Sequence, residues 1–310
     1  MTGSALTKRR LGRTDFQVTP IGLGGAHLGK TPEGFSDELA VATVHRALEL
    51  GVNVIDTAAM YGESRRRIGL ALESWYERGG SRRDLIISTK TGRNADGTKG
   101  YSAQDTLRTV EESLQLLRTD YIDILLVHDP DDLTPVLEAG GALEALKGLK
   151  QQGVIRAIGL GVRSHEFHRR CIETGDFDVS LTFADYNLTD QSAAEGVLEV
   201  AAAHDVGIYN GTAIMLGLLG GGDPREAATK IGGFASEQRV QRACELWDWA
   251  QARGVSLLAL NLQFCMRQQR IASTLVGASR PTRIEDAIAA VSEQIPEDIW
   301  QELHERFGIS

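Results

Sequence analysis

The sequence predicts an α/β chain folded as a single (β/α)8 TIM barrel, and three observations carry that prediction. Short β-rich runs alternate with longer amphipathic segments along most of the 310 residues. The clearest run, IDILLV at 122–127, is apolar almost throughout, as a strand buried on both faces of a parallel sheet must be. No break in composition marks a linker, so 1–310 reads as one domain. Parallel strands need crossover connections, and the repeated helices would cover the outward faces of a closed barrel. An open doubly wound sheet is the competing arrangement.

After an opening VTPIGLGG, residues 37–50 read as a helix. Leu39, Val41, Val44, Leu48 and Leu50 supply its apolar stripe, and Gly51 interrupts it. NVIDT at 53–57 reads as a strand leading into a loop, followed by a helix over about 63–77. LIIST at 85–89 is the next strand, with Lys90 just past it; a polar, Gly-rich loop then runs to Gly100. Ser102, with Asp105 three positions on, is a variant capping pair for a helix whose apolar face is Leu107, Val110, Leu114 and Leu117. The strand at 122–127 leaves His128 and Asp129 at its exit, and a later helix runs to about Gln152. Further β-like runs fall at 154–160, 178–183, 206–211, 255–260 and 271–277, giving eight parallel strands as the best count. The Gly-rich stretch 217–233 reads as an insertion or mobile loop.

Composition narrows the function. Hydrophobic residues make up 42% of the chain and charged residues 24%, which is globular usage. A net charge of -9 disfavours a broad nucleic-acid surface, and the short Lys8, Arg9, Arg10 run reads as a solvated terminus. Cys171, Cys244 and Cys265 have neither paired nor metal-ligand spacing, so no metal is assigned, and their usage is compatible with a reducing cytoplasm. No long apolar signal region opens the chain, and no apolar run approaches the roughly 18 residues of a membrane span. A cytoplasmic chain acting on a small molecule, with neither nucleic acid nor membrane as partner, is expected. Its oligomeric state cannot be read from these periodicities.

Asp56, Tyr61, Lys90 and His128 fall at or just beyond predicted strand ends, where a barrel gathers side chains from distant segments. Their chemistry is complementary. Tyr61 can exchange a proton with a carbonyl or alcohol oxygen, and cationic Lys90 lowers the cost of its ionisation. Asp56 can anchor Lys90, and His128 can orient a substrate oxygen. None of these groups carries hydride, so the set suits Tyr-mediated proton transfer coupled to a hydride-carrying cofactor. Each residue also has a plain structural reading: a barrel-mouth ion pair for Asp56 and Lys90, loop packing for Tyr61, a hydrogen-bonded core residue for His128.

Taken together, GVNVIDTAAMYG, STK and LLVHDPD resemble the aldo-keto reductase superfamily, along most of the chain. The resemblance implies a β/α barrel, NAD or NADP as cofactor, and Asp56, Tyr61, Lys90 and His128 as the catalytic set. It makes Gly25 and Ala26 of the GLGG segment close-approach positions beside the cofactor, although that segment lacks a full dinucleotide fingerprint. GASRPTRIEDA resembles the segment that holds the adenosine side: Gly277 and Ser279 would approach phosphate, Arg280 and Arg283 would supply positive charge, and Asp286 would meet polar adenosine groups. Pro281 equally suits the start of a helix. Tyr209 and Asn210 leave a late strand and would frame the nicotinamide or substrate, with barrel packing the alternative for Tyr209. Trp247 and Trp249 read as packing groups.

The chain also departs from the family pattern. Gly161 and Val162 replace a common Ser-Asn pair, Phe183 replaces a nicotinamide-facing Gln, and Ala278 stands where a basic residue is frequent, leaving NAD against NADP undecided. LLVHDPD, IRAIGLGV and DYNLTDQ look most like bacterial aldose dehydrogenases of the L-fucose and D-threo-aldose type. That likeness implies NAD(P)-dependent oxidation of a small aldose at its anomeric hydroxyl to a lactone. The alternatives are reduction of an aldehyde or ketone, pyridoxal dehydrogenase activity, and sugar binding without turnover.

Overall fold

Eight parallel strands close on themselves in the computed structural model, which describes residues 6–29 and 35–309. A short antiparallel pair, β1 (Arg9–Arg10) and β2 (Gln17–Val18), precedes them. The barrel strands are β3 (Ile21–Gly24), β4 (Val54–Asp56), β5 (Ile86–Thr91), β6 (Ile122–His128) and β7 (Ile155–Gly161). They continue as β8 (Val179–Phe183), β9 (Gly207–Gly211) and β10 (Ser273–Gly277). Each strand pairs with the next, and β10 returns to β3 with Gly277 opposite Gly24. The predicted (β/α)8 barrel is therefore the fold, and the open sheet is not.

Strand alternation sorts the side chains into two layers. Val54, Ile86, Ile124, Leu126, Tyr209 and Leu275 fill the barrel interior together with Leu11, Phe16 and Val18 of the N-terminal hairpin. The hairpin thus plugs the barrel at the strands' N-terminal end. Ile55, Ile87 and Val276, one residue away, face outward into the layer beneath the helices. Each large aliphatic side chain so buried contributes about 1.5–3 kcal/mol. The same parity turns Asp56, Ser88 and Lys90 inward.

Polar clamps fix the strand register at the plugged end. Asn53, Asp123 and Asp178 each accept a backbone N–H from the preceding segment: Thr19 at 2.8 Å, Ile87 at 2.9 Å and Ile158 at 2.9 Å. Asp123 is wholly buried and also binds Arg82 at 2.8 Å and Arg156 at 2.7 Å. A one-residue slip would strand these groups without partners, a cost that adds to the exposed apolar face.

The helices obey the local signals closely. Asp37–Glu49 is capped by Ser36, whose Oγ accepts from the Leu39 N–H, and it ends at Gly51 with φ 88°. Ser102 caps Ala103–Leu117, its Oγ accepting from the Asp105 N–H. The Asp105 carboxylate accepts from the Ser102 hydroxyl at 2.6 Å instead of from a backbone N–H, so the pair is only half of a reciprocal cap.

One predicted strand is a helix. Residues 255–260 open the helix Leu257–Arg267, capped by Ser256, whose Oγ accepts from the Ala259 N–H. That helix is buried on nearly every side, including Leu257, Ala259, Leu260, Leu262 and Phe264, so it lacks the polar face that reveals a 3.6-residue period. Without that face, its apolar run looks like a buried strand. The strand it displaces in the count is β3, four residues with two glycines, drawn from the opening VTPIGLGG. The 217–233 stretch also contains structure: a short helix, Pro224–Ala228, with Asp223 as its cap. Among the described residues, no helix is long and apolar enough to cross a membrane.

Candidate active site

Three strand ends and one turn build a single mouth. Asp56 ends β4, and Lys90, predicted just past its strand, lies inside β5 as its fifth residue, one before the strand's end at Thr91. His128 ends β6. Tyr61 sits in the turn that joins β4 to the helix Ser64–Glu77, its N–H donating to Ala58 O at 3.1 Å and its carbonyl accepting from Ser64 N–H at 3.1 Å. Gly29 lets a neighbouring segment pass this turn, because a Cβ there would lie 1.6 Å from the Tyr61 carbonyl oxygen.

These residues converge. Lys90 Nζ donates to Asp56 Oδ2 at 2.5 Å and to Thr57 O at 2.8 Å, while Ser88 Oγ donates to Asp56 Oδ1 at 2.6 Å. The same ammonium lies 5.0 Å from the centre of the Tyr61 ring. Tyr61 meets the His128 ring edge-on, with centroids 5.8 Å apart and planes at 89°. Lys90 and Asp56 are almost completely buried.

The charges follow from that burial. Desolvation pulls the Lys90 ammonium down, but Asp56 and Tyr61, by charge and hydrogen bonding, outweigh it and hold it above its ordinary value, so Lys90 stays cationic. Burial raises the Tyr61 phenol, and the Asp56 and Asp129 charges add to the rise, against the opposing pull of Lys90. His128 falls well below the ordinary histidine value through burial and the nearby Lys90 and Arg93 cations, so its ring is neutral. Among the described residues, its Nδ1 is buried without a hydrogen-bond partner. The arrangement is a neutral acid and a neutral donor facing one open volume, with a fixed cation beside the acid.

That volume is a cavity of about 750 Å³, lined by Asp56, Tyr61, Lys90 and His128 and also by Gly25, Ala26, Gly277, Ser279, Arg283 and Asp286. The two ends named in the sequence therefore share one cleft. Three other sequence-predicted positions do not reach it. Arg280 is exposed at the start of the helix Pro281–Ser292 and lies off the cavity lining. Tyr209 points into the barrel interior below the mouth, fully buried. Asn210, of opposite parity, turns its amide to Tyr186 O at 3.0 Å. Gly211 and Thr212 reach the cavity in their place. The reason is height: Tyr209 shares the inward face with Gly211 but sits two residues deeper.

Several cavity residues were not legible as site residues. Arg93, Asp129 and Arg163 line it, as do three of the four family departures, Gly161, Val162 and Phe183. Their sequence signal was position alone, since each follows or ends a barrel strand. Gly217, Gly220, Gly222, Asp223, Glu226 and Lys230 bring the 217–233 stretch onto the same cavity. Among the described residues, no group of three or more His, Cys, Asp or Glu side chains is placed to hold a metal ion.

A sequence model of the aldo/keto reductase family matches residues 20–306. The chain belongs to that family. This aldo/keto reductase is 30% identical over 292 residues to the L-galactose dehydrogenase of Arabidopsis thaliana, covering 92% of this chain and 88% of that protein. It is 27% identical over 313 residues to the D-threo-aldose 1-dehydrogenase of a Pseudomonas species, covering 93% and 94%. The solved holo form of an aldo-keto reductase from Bacillus halodurans shares its fold, with a TM-score of 0.77 at 24% identity, covering 97% of this chain and 96% of that one. Oxidoreductase chemistry on small carbonyl or aldose substrates is thus the family frame, and aldo/keto reductases typically use NAD(P).

Proposed function

We propose that this aldo/keto reductase oxidises the anomeric hydroxyl of a small cyclic aldose to a lactone, using NAD or NADP. The observation that carries the reading is the contact of buried, cationic Lys90 with both Asp56 and Tyr61 on the wall of the cavity. A bound nicotinamide would supply the hydride acceptor. Tyr61, as phenolate, accepts the anomeric hydroxyl proton, and Lys90 stabilises the phenolate by charge. His128, neutral and next to Tyr61, orients the substrate oxygen.

The residues present fit the cofactor. One continuous cleft joins the Tyr61 end to Ser279, Arg283 and Asp286, and glycines line it where backbone must come close. Gly277 has no room for a side chain, since a Cβ would lie 2.6 Å from His27 Nδ1. On this reading Gly25, Ala26, Gly277 and Ser279 lie along the cofactor, Arg283 meets its phosphate and Asp286 its adenosine. Tyr209, Asn210 and Arg280 act only through the residues beside them.

Carbonyl reduction is the second reading, and the raised Tyr61 phenol favours it, because a neutral Tyr61 is the acid that reduction needs. A screen of purified protein decides between them by the absorbance of the reduced nicotinamide. Several aldoses with NAD or NADP are compared with aldehydes and ketones plus NADH or NADPH. Aldose oxidation is expected. Carbonyl turnover without any aldose oxidation would reject the preferred substrate class.

A further inference from the structure

Asp129 is held far more firmly than the Tyr61 chemistry requires. It follows His128 with a left-handed backbone, φ 49°, a conformation that Asp tolerates better than most residues. Its N–H donates to Gly161 O at 2.7 Å. The Tyr101 hydroxyl donates to His128 O at 2.8 Å, with Asp129 O at 3.2 Å. Gly92 makes room for that tyrosine, since a Cβ there would lie 2.1 Å from the Tyr101 ring.

The side chain is fixed as well. Arg93 Nη1 donates to Asp129 Oδ2 at 2.8 Å, and Arg163 Nε lies 4.0 Å from the same oxygen. A second ion pair, Lys99 with Asp131, fastens the same two loops together. Among the described residues, Oδ1 makes no hydrogen bond, and the carboxylate lies on the cavity wall close enough for its charge to act on Tyr61. The same cavity has an aromatic wall in Phe183 and Phe234. Arg163 covers the Phe183 ring at 4.5 Å from its centroid, and Phe183 meets Phe234 edge-on at 5.9 Å.

A carboxylate with one free oxygen, in a cavity that Phe183 and Phe234 also line, matches a molecule with hydroxyls on its rim and C–H groups on its face. We propose that Asp129 is a specificity-determining residue for a polyhydroxylated substrate: its free carboxylate oxygen accepts from the hydroxyl on the carbon next to the reacting one. This deepens the aldose reading and rests on it. A neutral hydroxyl suits the site better than a substrate anion, because Arg93 is already paired and the carboxylate would repel a second negative charge.

The test compares D-glyceraldehyde with propanal, which share a chain length and differ in hydroxylation, in the reductive direction with NADH and NADPH. The wild-type protein is expected to favour glyceraldehyde. In Asp129→Asn the glyceraldehyde-to-propanal ratio of kcat/KM is expected to fall about tenfold or more, chiefly through KM for glyceraldehyde. Arg93→Gln leaves Asp129 in place and withdraws its clamp, so it must move the ratio the same way, even if Asp129→Asn folds poorly by circular dichroism. A wild-type protein that does not prefer glyceraldehyde removes the aldose reading itself. A wild-type preference that survives both substitutions, or equal losses on the two aldehydes, overturns the role of Asp129 alone. Faster wild-type turnover of glyoxylate than of glyceraldehyde would give the two arginines to a substrate anion and overturn it too.

Discussion

The Lys90 ammonium touches the Asp56 carboxylate at 2.5 Å inside the barrel, where both groups are almost completely buried. Such a pair is costly to form and far costlier to break, because removing one partner leaves the other charged and dry. Ser88 and the Thr57 carbonyl add further hydrogen bonds, so the pair is fixed in place. A cation held this way cannot swing away from Tyr61. Its contribution to the phenol is preorganised, which is how a charge assists a proton transfer most effectively.

Tyr61→Phe is expected to lower hydride-transfer turnover by roughly 10²–10⁴-fold while cofactor affinity stays within about threefold, because it deletes one oxygen and keeps the ring. Single-turnover kinetics and a separate cofactor titration check this. Near-wild-type transient turnover by a folded variant would remove Tyr61 from its role.

Because the Tyr61 phenol is held above its ordinary value, oxidation should speed up as pH rises toward its ionisation, and reduction should slow over the same range. Lys90→Met withdraws the cation that opposes the rise, so the alkaline limb of the pH–rate profile should move to still higher pH. An unmoved limb would mean that Tyr61 is not the group titrating.

Stability should fall as the solution turns acid. His168 is completely buried, with Nε2–H donating to Val162 O at 2.9 Å and Nδ1 3.2 Å from the Ser180 hydroxyl, and burial pushes its pKa down to about 4. The unfolded chain takes up that proton near 6.5, so below about pH 6.5 unfolding binds a proton that the folded state refuses, and stability drops until about pH 4. The 2.5-unit gap between 6.5 and 4 corresponds to roughly 3 kcal/mol. His128, also depressed, adds to the trend in the same direction. Urea unfolding at pH 7 and pH 4 measures it, and His168→Gln should flatten the slope.

Arg283 and Arg280 should separate. Arg283→Gln is expected to weaken cofactor binding about tenfold or more, and Arg280→Gln by less than about twofold, since only Arg283 lines the cleft. Fluorescence titrations with NAD and NADP check both variants. Equal losses for the two cofactors in Arg283→Gln would show that it does not read the 2′-phosphate.

Asp123→Ala removes a wholly buried carboxylate that holds Arg82, Arg156 and the Ile87 N–H. A loss of about 3–5 kcal/mol is expected in urea, with an unchanged m-value. A loss below about 1 kcal/mol would mean that the register clamp adds little.

The sequence by itself determined the alternating elements, the barrel class and the strand-end placement of Asp56, Lys90 and His128, because strand runs and helix caps are local properties. The Ser102 cap and the Gly51 stop stand where local chemistry put them. Local signals failed where burial erased them. The helix Leu257–Arg267 is enclosed by neighbours and shows no polar face, and β3 is too short and Gly-rich to stand out. What only the tertiary structure decided is height and adjacency. Residues one turn or two strand positions apart look alike in sequence, yet Gly211 reaches the cavity and Tyr209 does not, and Arg283 lines it while Arg280 faces solvent. Asp129 gains its character from Arg93, Arg163 and Tyr101, three side chains from other segments, and a contact across a closed barrel has no period along the chain.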